Sequence, residues 1–66
     1  MSEREIIAGL KVLRKEQKVT QQRLADAAGY DRYSIRRYEA GIRAPNLAAA
    51  CAFAEVLGYE LKLVKK

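Results

Sequence analysis

The sequence predicts a small all-α domain of four helices, followed by a short C-terminal β-strand. Apolar residues recur at helical intervals through the first helical segments. Gly29, Gly41 and Gly58 each follow a helix-forming stretch, at the place where a helix favours a left-handed cap residue. After Gly58 the apolar residues alternate with polar ones at the two-residue period of a strand.

The first helix is predicted to begin after Ser2, because Ser2 and Glu5 have the spacing of a capping box. It continues to about Glu16. Its apolar residues have helical spacing: Ile6, Ile7, Leu10 and Leu13.

Two short helices follow. Thr20 is a suitable N-cap for the second helix, which Gly29 ends. Asp31 is a suitable N-cap for a third helix over residues 32–40, which Gly41 ends. In the second helix one face carries Leu24, Ala25 and Ala28.

The fourth helix starts after Pro45 and Asn46 and has the sequence "LAAACAFAEVL". It is apolar around most of its circumference, which predicts that it is the most buried element. We therefore expect Cys51 to be a small core residue without a functional thiol.

The C-terminal strand is predicted over residues 59–65, where Tyr59, Leu61 and Leu63 alternate with other residues. No other segment resembles a strand, so its backbone hydrogen-bond groups lack a partner within one chain. A frayed tail is one interpretation. The other, which we favour because three large apolar side chains alternate, is a ribbon formed with a second subunit. Tyr59, Leu61 and Leu63 are then the predicted dimerisation residues.

Size and composition exclude several classes of protein. Sixty-six residues correspond to one small domain, residues 1–66, which a partner subunit could support. One cysteine and no histidine leave no intrachain disulfide and no usual zinc-ligand set, so we expect no metal site and no cofactor. No long apolar run or signal-like N-terminus is present. We expect a cytoplasmic, nucleoid-associated protein without membrane contact.

The net charge of +5 and the pI of about 9.7 favour a polyanionic partner. Solvated lysines such as Lys11, Lys15 and Lys18 could also produce this balance without a specific role. The arrangement of the charges therefore matters more than their sum.

The third helix arranges its charges on one face. At about 100 degrees per residue, Ile35 and Tyr38 fall on the arc that would face the core. Like charges one turn apart repel, so a helix has little reason to place them together for stability. A generic solvated face is the alternative interpretation. The predicted outward face carries Arg32, Tyr33, Arg36 and Arg37.

The second and third helices have the layout of a helix-turn-helix over residues 21–40. Ala25 is small enough for close helix approach, Gly29 follows four residues later at the turn, and Ile35 follows six residues after that. Such offsets could arise by chance in an alanine-rich helical sequence, but together with the arginine face they favour nucleic-acid binding.

Two segments carry a family resemblance. "LKVLRKEQKVTQQRLADAAG" and "SIRRYEAGIRAP" resemble the corresponding segments of the Cro/C1-type helix-turn-helix family of phage and bacterial regulators. The resemblance spans about Ile6 to Gly58. It implies a compact, lambda-repressor-like domain of four or five helices, whose second motif helix enters the major groove of double-stranded DNA.

The resemblance also implies roles for individual residues. Gln21, at the start of the second helix, and Arg43, after the third, match positions that contact phosphate. Gln22 is a further predicted DNA-binding residue. Arg14 and Glu39 match a structural ion pair between the first and third helices. The positions that face base edges match Arg32, Tyr33 and Arg37, with Arg36 beside them as either a base or a phosphate contact.

The sequence departs from the common family pattern in two places. Tyr30 replaces a small aliphatic residue after the turn glycine, so we expect its ring to pack on the second helix with the hydroxyl exposed. The segment "YELKLVKK" resembles the C-terminal strand by which some small members, including antitoxin-type repressors, form dimers.

Three functions remain open at this level. The favoured one is a sequence-specific transcriptional repressor that binds a palindromic operator as a homodimer. The second is an antitoxin that binds a toxin protein and regulates its own operon. The third, an adaptor or RNA-binding module, lacks an aromatic platform for RNA. We do not expect an enzyme, because the usual acid–base and nucleophilic groups are missing.

Overall fold

Four α-helices form the protein in a computed structural model that describes residues 2–62. They are α1 (Glu3–Glu16), α2 (Gln21–Ala28), α3 (Arg32–Glu39) and α4 (Leu47–Val56). The predicted all-α fold and its four helices are confirmed. None of the helices within the described residues is both long and apolar enough to cross a bilayer.

Each helix begins at the residue that the sequence indicated. In every case the N-cap side chain accepts a hydrogen bond from the backbone N–H three residues later, which satisfies a group that the helix leaves unpaired. The four caps and their donor–acceptor distances are Ser2 with Glu5 at 3.2 Å, Thr20 with Arg23 at 3.1 Å, Asp31 with Ser34 at 2.6 Å and Asn46 with Ala49 at 2.8 Å.

The corner between α2 and α3 is built as the motif spacing predicts. Gly29 has a left-handed φ of 78°, which a residue with a side chain adopts only at a cost. The backbone N–H of Tyr30 donates to the carbonyl of Ala25 at 2.8 Å and closes the end of α2. Ala25 is fully buried and Ile35 is 1% exposed, so the two helices meet in the core.

Phe53 of α4 occupies the centre of the core and is fully buried. The ring of Tyr30 meets it edge-on, with centroids 5.1 Å apart, and that of Tyr38 lies tilted at 5.9 Å. The contact of Tyr30 with α4 was not predicted. Around these rings the buried apolar cluster includes Ile7, Leu10, Leu24, Ala25, Ile35, Ala49, Ala54 and Leu57.

The prediction that Cys51 is a core residue is wrong, because its side chain is exposed. The buried arc of α4 consists of Ala49, Ala50, Phe53 and Ala54, and Cys51 lies outside it. Because apolar residues lie on both the buried and the exposed side of α4, its sequence does not indicate which face is buried. Leu47, for example, is a large apolar residue that is 72% exposed.

The predicted C-terminal strand is not seen. Residues 59–62 have no regular secondary structure, and residues 63–66, with Leu63, lie outside the described residues. A strand needs a second strand to bond with, and residues 2–62 of a single chain contain none. Instead, the N–H of Tyr59 donates to the carbonyl of Ala54 at 2.8 Å, and Leu61 packs partly on the core.

Candidate nucleic-acid interface

The outward face of α3 carries the residues that the helical geometry predicted. Ile35 and Tyr38 are buried, at 1% and 8% exposure, and fix which side of α3 meets the core. On the other side Tyr33 is 63% exposed. The remaining members of this face are Arg32 and Arg36, which are exposed, and Arg37, which is half-buried.

Tyr33 and Arg37 form a contact within this face. The guanidinium carbon of Arg37 lies 5.3 Å from the centroid of the Tyr33 ring, one helical turn away. At this separation a cation is attracted to the ring by about 0.5–1 kcal/mol at an exposed site. The ring therefore limits the positions open to the guanidinium before any ligand arrives.

A shallow groove beside this pair contains a residue that the sequence reasoning missed. Ile42 is 69% exposed and lines the groove with Tyr33, Arg36, Arg37 and Ala40. Its backbone N–H donates to the carbonyl of Arg37 at 3.0 Å, which holds the loop against the end of α3. The only sequence signal was an apolar residue in a loop, between a turn glycine and an arginine.

The loop after α3 also carries Arg43, whose side chain is exposed. The backbone N–H of Arg43 lies 3.4 Å from the same Arg37 carbonyl oxygen that accepts from Ile42. Arg43 is therefore anchored through its main chain while its guanidinium is accessible from solvent.

The start of α2 offers a second set of donors. Gln22 is exposed, and its amide nitrogen donates to the Asp26 carboxylate at 2.8 Å. Gln21 is half-buried, and its amide nitrogen donates to Glu39 at 3.0 Å. The first backbone N–H groups of any α-helix have no acceptor within the helix and point outward with the positive end of its dipole.

The N-termini of α2 and α3 differ in their electrostatic interaction with a bound anion. The cap of α2 is the neutral Thr20, whereas that of α3 is the carboxylate of Asp31. Hydrogen bonds from the backbone and side chain of Ser34 lower the pKa of Asp31, so it is ionised at neutral pH. A phosphate group is therefore disfavoured at the start of α3 and favoured at the start of α2.

Glu39 joins α3 to the rest of the molecule. Its Oε2 accepts from Nε of Arg14 at 2.6 Å, and its Oε1 accepts from Nη2 of Arg14 at 2.8 Å. Arg14 donates further to the carbonyl of Val19 at 2.8 Å. The side chains of Arg14 and Glu39 are 10% and 4% exposed. With the hydrogen bond from Gln21, this carboxylate connects the end of α3 to α1 and to the start of α2.

The protonation of Glu39 follows from this setting. Burial raises the pKa of its carboxyl group, but the hydrogen bonds from Arg14 and Gln21, with the charges of Arg14 and Lys11, outweigh burial. The net effect lowers the pKa below its ordinary value, and Glu39 is ionised at neutral pH.

Comparison with family models decides the affiliation. A model described as "Helix-turn-helix" matches residues 10–64, which is most of the chain. The chain belongs to the Cro/C1-type helix-turn-helix family. Comparison with curated proteins gave no match, and neither did comparison with solved structures.

The family consists of DNA-binding transcription regulators, and α1 to α4 overlap or lie within the matched residues. In a helix-turn-helix the second helix of the motif is the one that enters the major groove, and α3 is the helix that follows the turn at Gly29. The charged face of α3 and the start of α2 are thus the two parts of a candidate DNA interface. They are connected by the hydrogen bond from Gln21 of α2 to Glu39 of α3.

Proposed function

We propose that this helix-turn-helix protein is a sequence-specific transcriptional repressor, which binds a palindromic operator as a homodimer. The observation that carries the proposal is the outward face of α3, where Tyr33, Arg36 and Arg37 line an open groove and Arg32 is exposed, while the opposite face is buried. A stable helix has no need of such a face, and the major groove of DNA admits a helix of this kind.

The arginines are proposed to read base edges. A guanidinium matches the O6 and N7 acceptors of guanine, a contact worth about 1–3 kcal/mol of discrimination. Arg37 is the strongest candidate because the ring of Tyr33 limits its motion. Arg32 is the second base reader, and Arg36 contacts a base or a phosphate. Tyr33 contacts a thymine methyl or a phosphate with the part of its ring that remains exposed.

Phosphate contacts are proposed for residues that flank α3. Gln21 and Gln22 stand at the start of α2, beside a neutral cap. The side chain of Gln21 already donates to Glu39, so its backbone N–H is the donor that we assign to phosphate. Arg43 supplies the matching contact from the loop after α3. These contacts set the position of α3 without reading sequence.

A palindromic operator is matched by a homodimer, because both have two-fold symmetry. Two recognition helices read two half-sites when a two-fold axis relates them, with centres about one turn of DNA apart. We propose that the C-terminal segment, with Tyr59, Leu61 and Leu63, contributes to the contact between subunits. Tyr59 is 53% exposed, which leaves its ring accessible to a partner.

Binding by Arg37→Ala tests the base-reading assignment. Operator sites are first selected from random DNA with the wild-type protein, and affinities are then measured on the selected site and on random DNA. We expect Arg37→Ala to lose at least tenfold on the selected site and little on random DNA. Arg4→Ala is the matched control, because it removes the same charge from an exposed position on α1. Equal losses on both DNAs would show that Arg37 is not a base reader.

The second candidate function is that of an antitoxin, and it is compatible with the first. Leu47 is 72% exposed and borders an apolar groove that Pro45 and Ala50 also line, and this surface favours contact with another protein. The test is expression of the chain together with its neighbouring gene. A stable complex of the two products that also binds the selected DNA site would establish this role.

A further inference from the structure

Helix α1 presents an exposed seam on the side that faces away from α3. Glu5, Ala8, Val12 and Lys15 are all exposed, and their spacing of three, four and three residues is that of a helix-pairing seam. Arg14, which contacts Glu39 of α3, lies about 140 degrees around α1 from the centre of this seam on ideal helix geometry. A partner on the seam would therefore leave the recognition helix free.

An apolar groove runs beside the seam, between α1 and the segment after α4. Ile6 and Leu13 line it from α1, and Tyr59 and Leu61 line it from the C-terminal segment. Three of these side chains are half-buried, and Tyr59 is 53% exposed. The groove widens the seam into a continuous surface that joins α1 to the residues proposed above for dimerisation.

Gly9 lines the groove at its boundary with the seam, about 80 degrees around α1 from the centre of the seam on ideal helix geometry. A glycine in a helix interior destabilises the helix relative to alanine. A Cβ atom added at Gly9 would meet no atom within 4 Å, so packing inside the monomer does not require glycine there. The missing side chain leaves room for a second chain at this edge of the seam.

The charges of the seam identify the partner. Its two ends carry opposite charges, Glu5 near the start of α1 and Lys15 near its end, with Ala8 and Val12 between them. When two copies of α1 run antiparallel about a two-fold axis, Glu5 of each copy meets Lys15 of the other. Ala8 then meets Val12 in the same register. The seam is thus complementary to itself, in charge and in apolar character.

We propose that this chain dimerises through α1, packed antiparallel against α1 of a second copy, with Glu5 and Lys15 paired across the interface. The inference rests on the homodimer of the proposed function and assigns its main contact to a helix. Gly9, Tyr59 and Leu61 border the interface along the groove.

Charge reversal tests the pairing. Glu5→Lys alone places two lysines opposite each other at both ends of the dimer, and Lys15→Glu alone does the same with two glutamates. Each variant alone is expected to raise the dissociation constant about tenfold or more, by sedimentation velocity across a concentration series. An equimolar mixture of the two variants restores both attractive pairs and is expected to dimerise as well as wild type.

Two further variants distinguish an effect on the dimer interface from an effect on the stability of α1. Gly9→Ala favours the isolated helix, so we expect a higher melting temperature together with weaker dimerisation. Asp26→Lys, at an exposed position on α2, is the control for charge reversal and is expected to leave dimerisation unchanged. The proposal is overturned by a monomeric wild type, by single reversals that dimerise normally, or by a mixture that does not recover.

The same variants separate this inference from DNA recognition. Binding to a single half-site of the selected DNA needs only one α3, so Glu5→Lys and Lys15→Glu are expected to keep half-site binding while they lose the cooperative gain on the full site. Loss of half-site binding in Arg37→Ala with a normal dimer would instead report on the recognition helix alone.

Discussion

Nε of Arg14 lies 2.6 Å from Oε2 of Glu39, and this contact joins α3 to α1 through a pair of charges that are almost fully buried. Breaking a buried pair by removing one partner leaves the other charge uncompensated, at a cost of about 3–5 kcal/mol. For a domain of 66 residues this is a large part of the total free energy of unfolding.

Glu39→Ala is therefore expected to lower the free energy of unfolding by about 3–5 kcal/mol. Glu39→Gln is expected to cost less, because an amide still accepts one of the hydrogen bonds from Arg14. Urea denaturation followed by circular dichroism measures both variants. Glu55→Ala, at an exposed position on α4, provides the control. A loss below about 1 kcal/mol for Glu39→Ala would class the pair with ordinary surface ion pairs.

The lowered pKa of Glu39 makes stability depend on acidity. The unfolded chain takes up the proton first, at an ordinary glutamate pKa of about 4.3. The contribution of ionised Glu39 is therefore complete above that pH and is lost as the pH falls through the lower pKa of the folded state. The advantage of wild type over Glu39→Gln in the free energy of unfolding should therefore shrink as the pH falls below about 4.3. A constant difference would contradict the pKa assignment.

The contact between Tyr33 and Arg37 predicts a contrast between two substitutions. Tyr33→Phe keeps an aromatic face under the guanidinium, whereas Tyr33→Leu removes it. Tyr33→Leu should weaken operator binding by about 0.5–1 kcal/mol more than Tyr33→Phe does. This extra loss should vanish in an Arg37→Ala background, where no guanidinium remains to be held. Equal losses for the two variants would mean that the hydroxyl group makes the contact with DNA.

Arg43 is expected to behave differently from Arg37. As a phosphate contact it carries no sequence information, so Arg43→Ala should weaken binding to selected and random DNA alike. The slope of log affinity against log salt concentration should become shallower by about 0.9 for one lost phosphate contact. Titrations at four or five salt concentrations measure this slope. A loss confined to the selected site would assign Arg43 to base reading instead.

The elements that could be predicted from the sequence are those with local signals. Caps such as Asp31 and the turn at Gly29 depend on the chemistry of a few neighbouring residues, and the structure has both. The division of α3 into a buried and an outward face followed from the helical repeat, because Ile35 and Tyr38 mark one side clearly.

The features that escaped prediction depend on contacts between distant segments or on uniform composition. Tyr30 packs on Phe53, which is far along the chain, so no local pattern indicates the pair. Cys51 was misplaced because the small apolar residues of α4 give both of its faces a similar polarity. Ile42 sits in a loop, where no periodicity relates a side chain to a surface.

Because Cys51 is exposed, its thiol is available for chemical labelling. It is the single thiol of the chain and is accessible on α4, outside the core and outside α3. A maleimide dye would therefore attach at one known place on each subunit without mutagenesis. Energy transfer between donor-labelled and acceptor-labelled subunits could then follow subunit exchange in real time, with and without DNA.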